Sequence, residues 1–310
     1  MLQILHDTNF PFMKHRRIAY AISTILLVAT LGFLFTKGPR YSVDFTGGTL
    51  VQLRTTPAAH ADEVREALDG AGFKGAEIQQ LTNDAKDEYL IRVQSSESAS
   101  AEDAKHISER MTEAITAKVA GTAVEIRRIE TVGPKVGGEL RTKAVMAILS
   151  SLGVILLYVG IRYEFKFAVG GVVALLHDVL VTLGFLMFTG REVSLTVVAA
   201  LLTIAGYSIN DTIVIFDRIR ERSKALRKEQ HSRMMDIAIN ETLSRTVITA
   251  FTVFLAALAL FVWGGEVLND FSFAMLIGTV FGTYSSVYVA SAVALDLWIA
   301  LDRQKGVQAE

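Results

Sequence analysis

Apolar runs separated by short polar breaks dominate this chain, and six approach the roughly 20 mainly apolar residues a helix needs to cross a bilayer core about 30 Å thick. They predict spans near 18–36, 144–161, 167–189, 193–216, 246–263 and 273–301. The first run is long, and Thr36-Lys37-Gly38 after it offers no small-residue cleavage site. It is expected to remain as an anchor, not to be removed as a signal peptide.

Between the first two runs the period of the pattern changes. Thr49-Leu50-Val51-Gln52-Leu53 alternates like a strand, whereas Val64, Ala67 and Leu68 recur at helical spacing before Gly70 and Gly72 supply a stop. Ala76 to Leu81 and Tyr89 to Val93 read as strands around an Asn83-Asp84 turn. Ala104, Ile107, Met111, Ala114 and Ile115 mark a second helix, and Val124 to Ile129 returns to alternation. The order β-α-β-β-α-β fits a ferredoxin-like half-open sandwich. The fold expected is a polytopic α-helical membrane protein with six transmembrane helices and one α+β ferredoxin-like external domain. Its divisions are 1–37, 38–143 and 144–310.

Basic residues orient the spans. Lys14, Arg16 and Arg17 precede the first; Arg162 and Lys166 separate the second and third; Arg218, Arg220, Arg222, Lys224, Arg227, Lys228 and Arg233 separate the fourth and fifth; Arg303 and Lys305 follow the sixth. These connections are expected in the cytoplasm with both termini, and the 38–143 domain outside, periplasmic or extracellular. The Asp217 to Ser244 connection, with Ile219, Leu226, Met234, Met235, Ile237 and Ile239 among its charges, reads as a solvated topogenic loop or an amphipathic stretch on anionic lipid. Phe10-Pro11-Phe12-Met13 is expected to float at the same interface.

Composition adds limits. Of 310 residues 51% are hydrophobic, the mean hydropathy is +0.38 and the formal net charge is -1, so nothing points to nucleic acid. There is no cysteine, which excludes disulfides and thiolate metal sites. His60 and His106 have no partners at ligand spacing, and no nucleophile-base pair or phosphate loop is present, so neither a metal, a cofactor nor an enzymatic reaction is expected.

Asp211 is the residue that asks for a function, because it places a carboxylate in the apolar fourth run. An intramembrane charge costs from about 2.5 kcal/mol on insertion scales to above 10 in simulations, and such residues face a bundle interior. Thr203, Gly206, Tyr207, Asn210, Asp211, Val214 and Arg218 recur at intervals of three and four and share a helix face suited to a neighbouring helix or a hydrated crevice. His177 and Asp178 fall near the middle of the third span, about 100° apart on the helix, and need not bond to each other. One can meet Asp211 or Asn210 and form a relay, or serve as a buried strut. Asp217 and Asp296 lie near the water boundary and read as capping charges. In the sixth span Ala274, Gly278, Gly282, Ser286, Ala290 and Ala294 leave a groove of small side chains. Gly278, Gly282 and Ser286 are thus candidate helix-packing positions, within the bundle or toward a partner.

Four motifs carry a resemblance: Val43 to Thr49 beside the first span, Leu176-His177-Asp178-Val179, the stretch from Gly206 to Arg220, and Asn240 to Thr246 before the fifth span. Together they resemble the SecF side of the SecD/SecF family of protein-export membrane proteins, of resistance-nodulation-division type, over nearly the whole chain. The resemblance implies a SecD partner, association with the SecYEG channel, contact with an exported unfolded polypeptide and membrane lipid, and use of the proton gradient. It also assigns Arg245 a part in proton coupling with Asp211, although position alone equally fits an arginine that reaches lipid phosphate. A non-transducing scaffold or assembly factor for a translocation channel is the alternative function.

Overall fold

In a computed structural model of the chain, six helices among the described residues are long and apolar enough to cross a membrane: Phe12–Thr36, Lys135–Arg162, Phe165–Phe188, Leu195–Ala225, His231–Trp263 and Leu268–Gln304, here spans 1 to 6. The structure describes residues 8–74, 76–81, 88–93, 101–119, 121–226 and 229–304. The Asn83-Asp84 turn, Arg227, Lys228 and Lys305 lie outside them. The chain divides into two units, Tyr41–Val145 and a bundle made of Met1–Arg40 with Met146–Glu310.

Spans 3, 4 and 6 form the centre of the bundle: 61%, 56% and 50% of their most apolar stretches are buried, against 17%, 6% and 11% for spans 1, 2 and 5. Glycine decides how closely they approach, because in lipid the helices associate through packing and not through exclusion of water. A Cβ on Gly170 of span 3 would lie 2.6 Å from the Ala290 carbonyl oxygen of span 6, and one on Gly184 would lie 2.0 Å from Thr30 Oγ1 of span 1. Span 2 joins the core through its last turns, with Val159 and Tyr163 buried and Leu152 and Ile155 packed beside them.

Span 6 is not a uniform helix. Its α-helical halves, Gly265–Tyr284 and Ser291–Gln304, are separated by a π-helical stretch at Ser285–Ala290. A π-turn adds one residue to the helix and is commonly found where function needs an irregular backbone.

The connection between spans 4 and 5 corrects the expectation of a solvated loop. Helix continues to Ala225 and resumes at His231, while Ile219, Met234, Met235, Ala238 and Ile239 are buried in the bundle core. The apolar residues interleaved with charge were a packing face. The N-terminal segment is likewise docked: Met13 is buried and its N–H donates to Asp236 Oδ1 at 2.8 Å, and Phe10 and Asn240 exchange two hydrogen bonds of 3.0 and 2.9 Å. Asp296 is held by Arg16 Nε at 3.1 Å and by the Tyr20 hydroxyl at 2.8 Å, and Asp217 faces Arg162 at 3.6 Å.

The second unit has strands β1 (Gly48–Thr56), β2 (Glu77–Gln80), β3 (Glu88–Val93) and β4 (Ala123–Val132) and helices α1 (Ala61–Gly70) and α2 (Ala101–Lys118). Its sheet has the order β2-β3-β1-β4 with every neighbouring pair antiparallel. Alternation sends Val51, Leu53, Tyr89 and Ile91 to the face covered by the helices, where they meet Val64, Leu68, Met111 and Ile115. Charges occupy the opposite face. Glu88 accepts from Arg54 at 2.7 Å and Gln52 at 3.2 Å, and Arg92 meets Glu77 at 3.0 Å. His60, which sequence left without a role, precedes α1, and its N–H donates to Glu63 Oε2 at 2.9 Å. Gly47 and Gly48 enter β1 with φ of 73° and 126°, a backbone that only glycine adopts without strain.

Candidate functional site

Two polar clusters lie inside the apolar bundle. The first is built around Asp178, which is fully buried on span 3. Its Oδ2 accepts from Ser208 Oγ of span 4 at 2.6 Å and from Ser285 Oγ of span 6 at 2.7 Å, and His177 Nδ1 lies 3.0 Å from its Oδ1. The last contact corrects the expectation that the neighbours need not bond, since the short imidazole and carboxylate arms reach around the 100° step between them. Asp178 meets hydroxyls of spans 4 and 6 where a contact with Asp211 or Asn210 was entertained. His177 Nε2 is buried without a hydrogen-bond partner.

Ser286 extends this cluster. Its hydroxyl lies 2.9 Å from Thr212 Oγ1 and 3.2 Å from the Ser208 carbonyl. Gly282 makes the approach possible, because a Cβ there would lie 3.3 Å from Ser208 Cβ. Gly278 packs on Ile204 of this same chain, where a Cβ would lie 2.2 Å from Ile204 Cδ1. The small residues of span 6 therefore face span 4 at Gly278, Gly282 and Ser286, and span 3 from the end of the π-helical stretch onward, at Ala290 and Ala294 beside Gly170.

The second cluster surrounds Asp211 on span 4. The residue is 2% exposed, its Oδ1 receives a long hydrogen bond of 3.4 Å from Thr249 Oγ1 of span 5, and its Oδ2 is buried with no partner among the described residues. Arg245, one helical turn before Thr249, lies within electrostatic reach. Of the other residues on that face, Thr203, Gly206 and Asn210 are exposed, as is Arg245, while Tyr207, Val214 and Arg218 are half-buried. A polar face left bare on a bundle otherwise flanked by apolar side chains is suited to water or another polar helix and poorly suited to lipid.

Ser208, Ser285, Thr212 and Thr249 were not singled out in the sequence. The spacing of Ser208 and Thr212, four apart on one apolar helix, was the available signal; the π-turn that brings Ser285 and Ser286 onto one cluster had none.

The family models match residues 111–299 as protein export membrane protein SecD/SecF, C-terminal, and residues 32–59 as the SecD/SecF GG motif. The chain belongs to the SecD/SecF family, as a SecF protein. Among SecF relatives, protein translocase subunit SecF of Gemmatimonas aurantiaca is 45% identical over 96% of this chain and 90% of its own length. That of Vibrio alginolyticus is 43% identical over 100% and 97%. SecDF from Thermus thermophilus, described as a translocon-associated membrane protein, matches in its crystal structure with a TM-score of 0.82 and 41% identity over 94% of this chain. A super-membrane-facing form of SecDF matches with a TM-score of 0.71 and 40% identity over 98%. This chain spans 39% and 41% of those two SecDF chains. With six apolar helices, this SecF-family chain is a multi-pass membrane protein.

Proposed function

We propose that this chain is an accessory subunit of the Sec translocase that works with SecD beside the SecYEG channel, coupling the proton gradient to export of unfolded polypeptide. The SecF relatives and the SecDF structures support the partnership, because the latter carry in one longer chain a part resembling this one. The observation that carries the coupling is Asp211: a buried carboxylate with one oxygen unpartnered among the described residues, on a helix face where Thr203, Gly206 and Asn210 are exposed. Such a group changes its cost in the membrane when it takes up a proton, and one elementary charge moved through 100 mV is worth about 2.3 kcal/mol, enough to bias a balanced two-state equilibrium. Arg245 completes the site from span 5 and Asn210 borders it. Asp178, which accepts from two hydroxyls, and His177 beside it act as the strut behind it.

The basic connections place both termini in the cytoplasm. The β-α-β-β-α-β unit is then external, and its topology supports the ferredoxin-like reading. The chain acts without an enzymatic step of its own. In proteoliposomes holding this chain, SecD and SecYEG, Asp211→Asn is expected to remove the gradient-dependent part of export and leave the remainder; export at the parent rate and gradient dependence would defeat the reading.

A further inference from the structure

The groups around Asp178 do more than bury a charge. Hydroxyls of spans 4 and 6 donate to one of its oxygens and the His177 imidazole of span 3 meets the other, and the donor from span 6, Ser285, is the first residue of the π-helical stretch. Ser286, the next residue, is tied to Thr212 and to the Ser208 carbonyl. At the far end Ser291 Oγ donates to the Ser286 carbonyl at 3.1 Å, five residues back, so the wide turn has its own hydroxyl partner. Gly170 admits the Ala290 carbonyl where any side chain would collide. Each end of the π-turn is thus held by a side chain or a gap suited to it.

We propose that Asp178 is a latch that keeps span 6 in its π-helical form, and that releasing it lets the turn revert to α-helix and rotates the Ser291–Gln304 half of the span about its axis. Absorbing the one extra residue moves everything beyond it by about 100°, the angle between successive α-helical residues. The far half carries contacts that such a rotation breaks. Trp298 stacks on His231 with centroids 4.3 Å apart and has Lys166 Nζ 3.6 Å from its ring centre, while Asp296 holds Arg16 and Tyr20. The latch thereby links the middle of the membrane to the N-terminal segment and to the start of span 5.

The titratable groups beside the latch are His177 on its own span and Tyr284 on span 6, whose ring centre is 6.0 Å from that of His177; Asp211, on span 4, contacts Thr249 of span 5 instead. The proposal rests on the proton-coupled reading only for what trips the latch. Its geometry stands without that reading.

Trp298 reports the rotation. The chain has two tryptophans, so Trp263→Phe leaves Trp298 alone. In the full chain in nanodiscs, Asp178→Leu, which removes both acceptor oxygens, is expected to shift the Trp298 emission maximum and raise its quenching by iodide. Ser285→Ala, which removes one donor and keeps the carboxylate, is expected to do the same to a smaller degree and serves if the first variant does not accumulate. Thr182→Ala, one turn along span 3, is expected to leave the emission at the parent position. Unchanged emission in a folded Asp178 or Ser285 variant overturns the latch, and so does an equal shift in Thr182→Ala, which would mark general loosening. Since the readout needs no export, its failure and the failure of proton coupling are separate results.

Discussion

Asp211 and Asp178 show what a carboxylate in a membrane bundle can be. Asp178 has partners on three helices, and Asp211 has one long hydrogen bond and an oxygen with none. Both cost free energy to bury, but only the second keeps a vacant acceptor beside an exposed polar face. Thr249→Val removes the hydroxyl that Asp211 accepts from; it is expected to cost about 1 kcal/mol of stability and to reduce gradient-driven export less than Asp211→Asn. Reconstituted export measures it, and a loss equal to that of Asp211→Asn would give Thr249 a larger part. Asp211 stood out in the sequence because a charge in an apolar run is conspicuous, Asn210 because it shares that helix face, and Arg245 only through the family resemblance. The hydroxyls around Asp178 were not, because serine and threonine are ordinary in a membrane helix and only three-dimensional packing shows which ones converge.

Among the elements, span 6 is where sequence period and structure part. The four-residue repeat of small side chains suggested one continuous groove, but the π-turn redirects it from span 4 to span 3. Gly170→Ala places a methyl 2.6 Å from a backbone oxygen that has no flexible end to yield. It is expected to lower stability by about 2 kcal/mol, read as a lower unfolding temperature of the chain in detergent. Gly278→Leu is expected to destabilise the isolated chain before any partner is added, because Ile204 of the same bundle fills that space. Normal melting with loss of SecD co-purification would instead assign Gly278 to the partner interface. In the second unit, Glu88 holds the charged sheet face together, with a side chain 10% exposed. Glu88→Ala removes the acceptor shared by Arg54 and Arg127, whose side chains are 32% and 41% exposed, and is expected to cost about 1 kcal/mol, seen as faster hydrogen exchange in β1 and β3. The strands and helices of this unit were readable from alternation and helical spacing. The helices at the basic end of the bundle were misread, because their buried methionines and isoleucines stand among arginines and lysines that reach water along their stems.

At the scale of the whole molecule, a central trio of spans is flanked by three whose apolar surface is largely exposed, and the Asp211 face is bare beside Arg245. That arrangement is coherent for half of a larger membrane assembly, and the SecDF chains that this one resembles are more than twice its length. The six spans and the family were legible from hydropathy and motifs, while the exposed polar residues beside Asp211 support the proposal that a second chain completes the site. The most direct measurement is proton flux into vesicles that hold this chain with SecD, this chain alone, or the complex carrying Asp211→Asn. Flux is expected with the native complex and is expected to be lost in the other two; equal flux in the native and Asp211→Asn complexes would contradict the account.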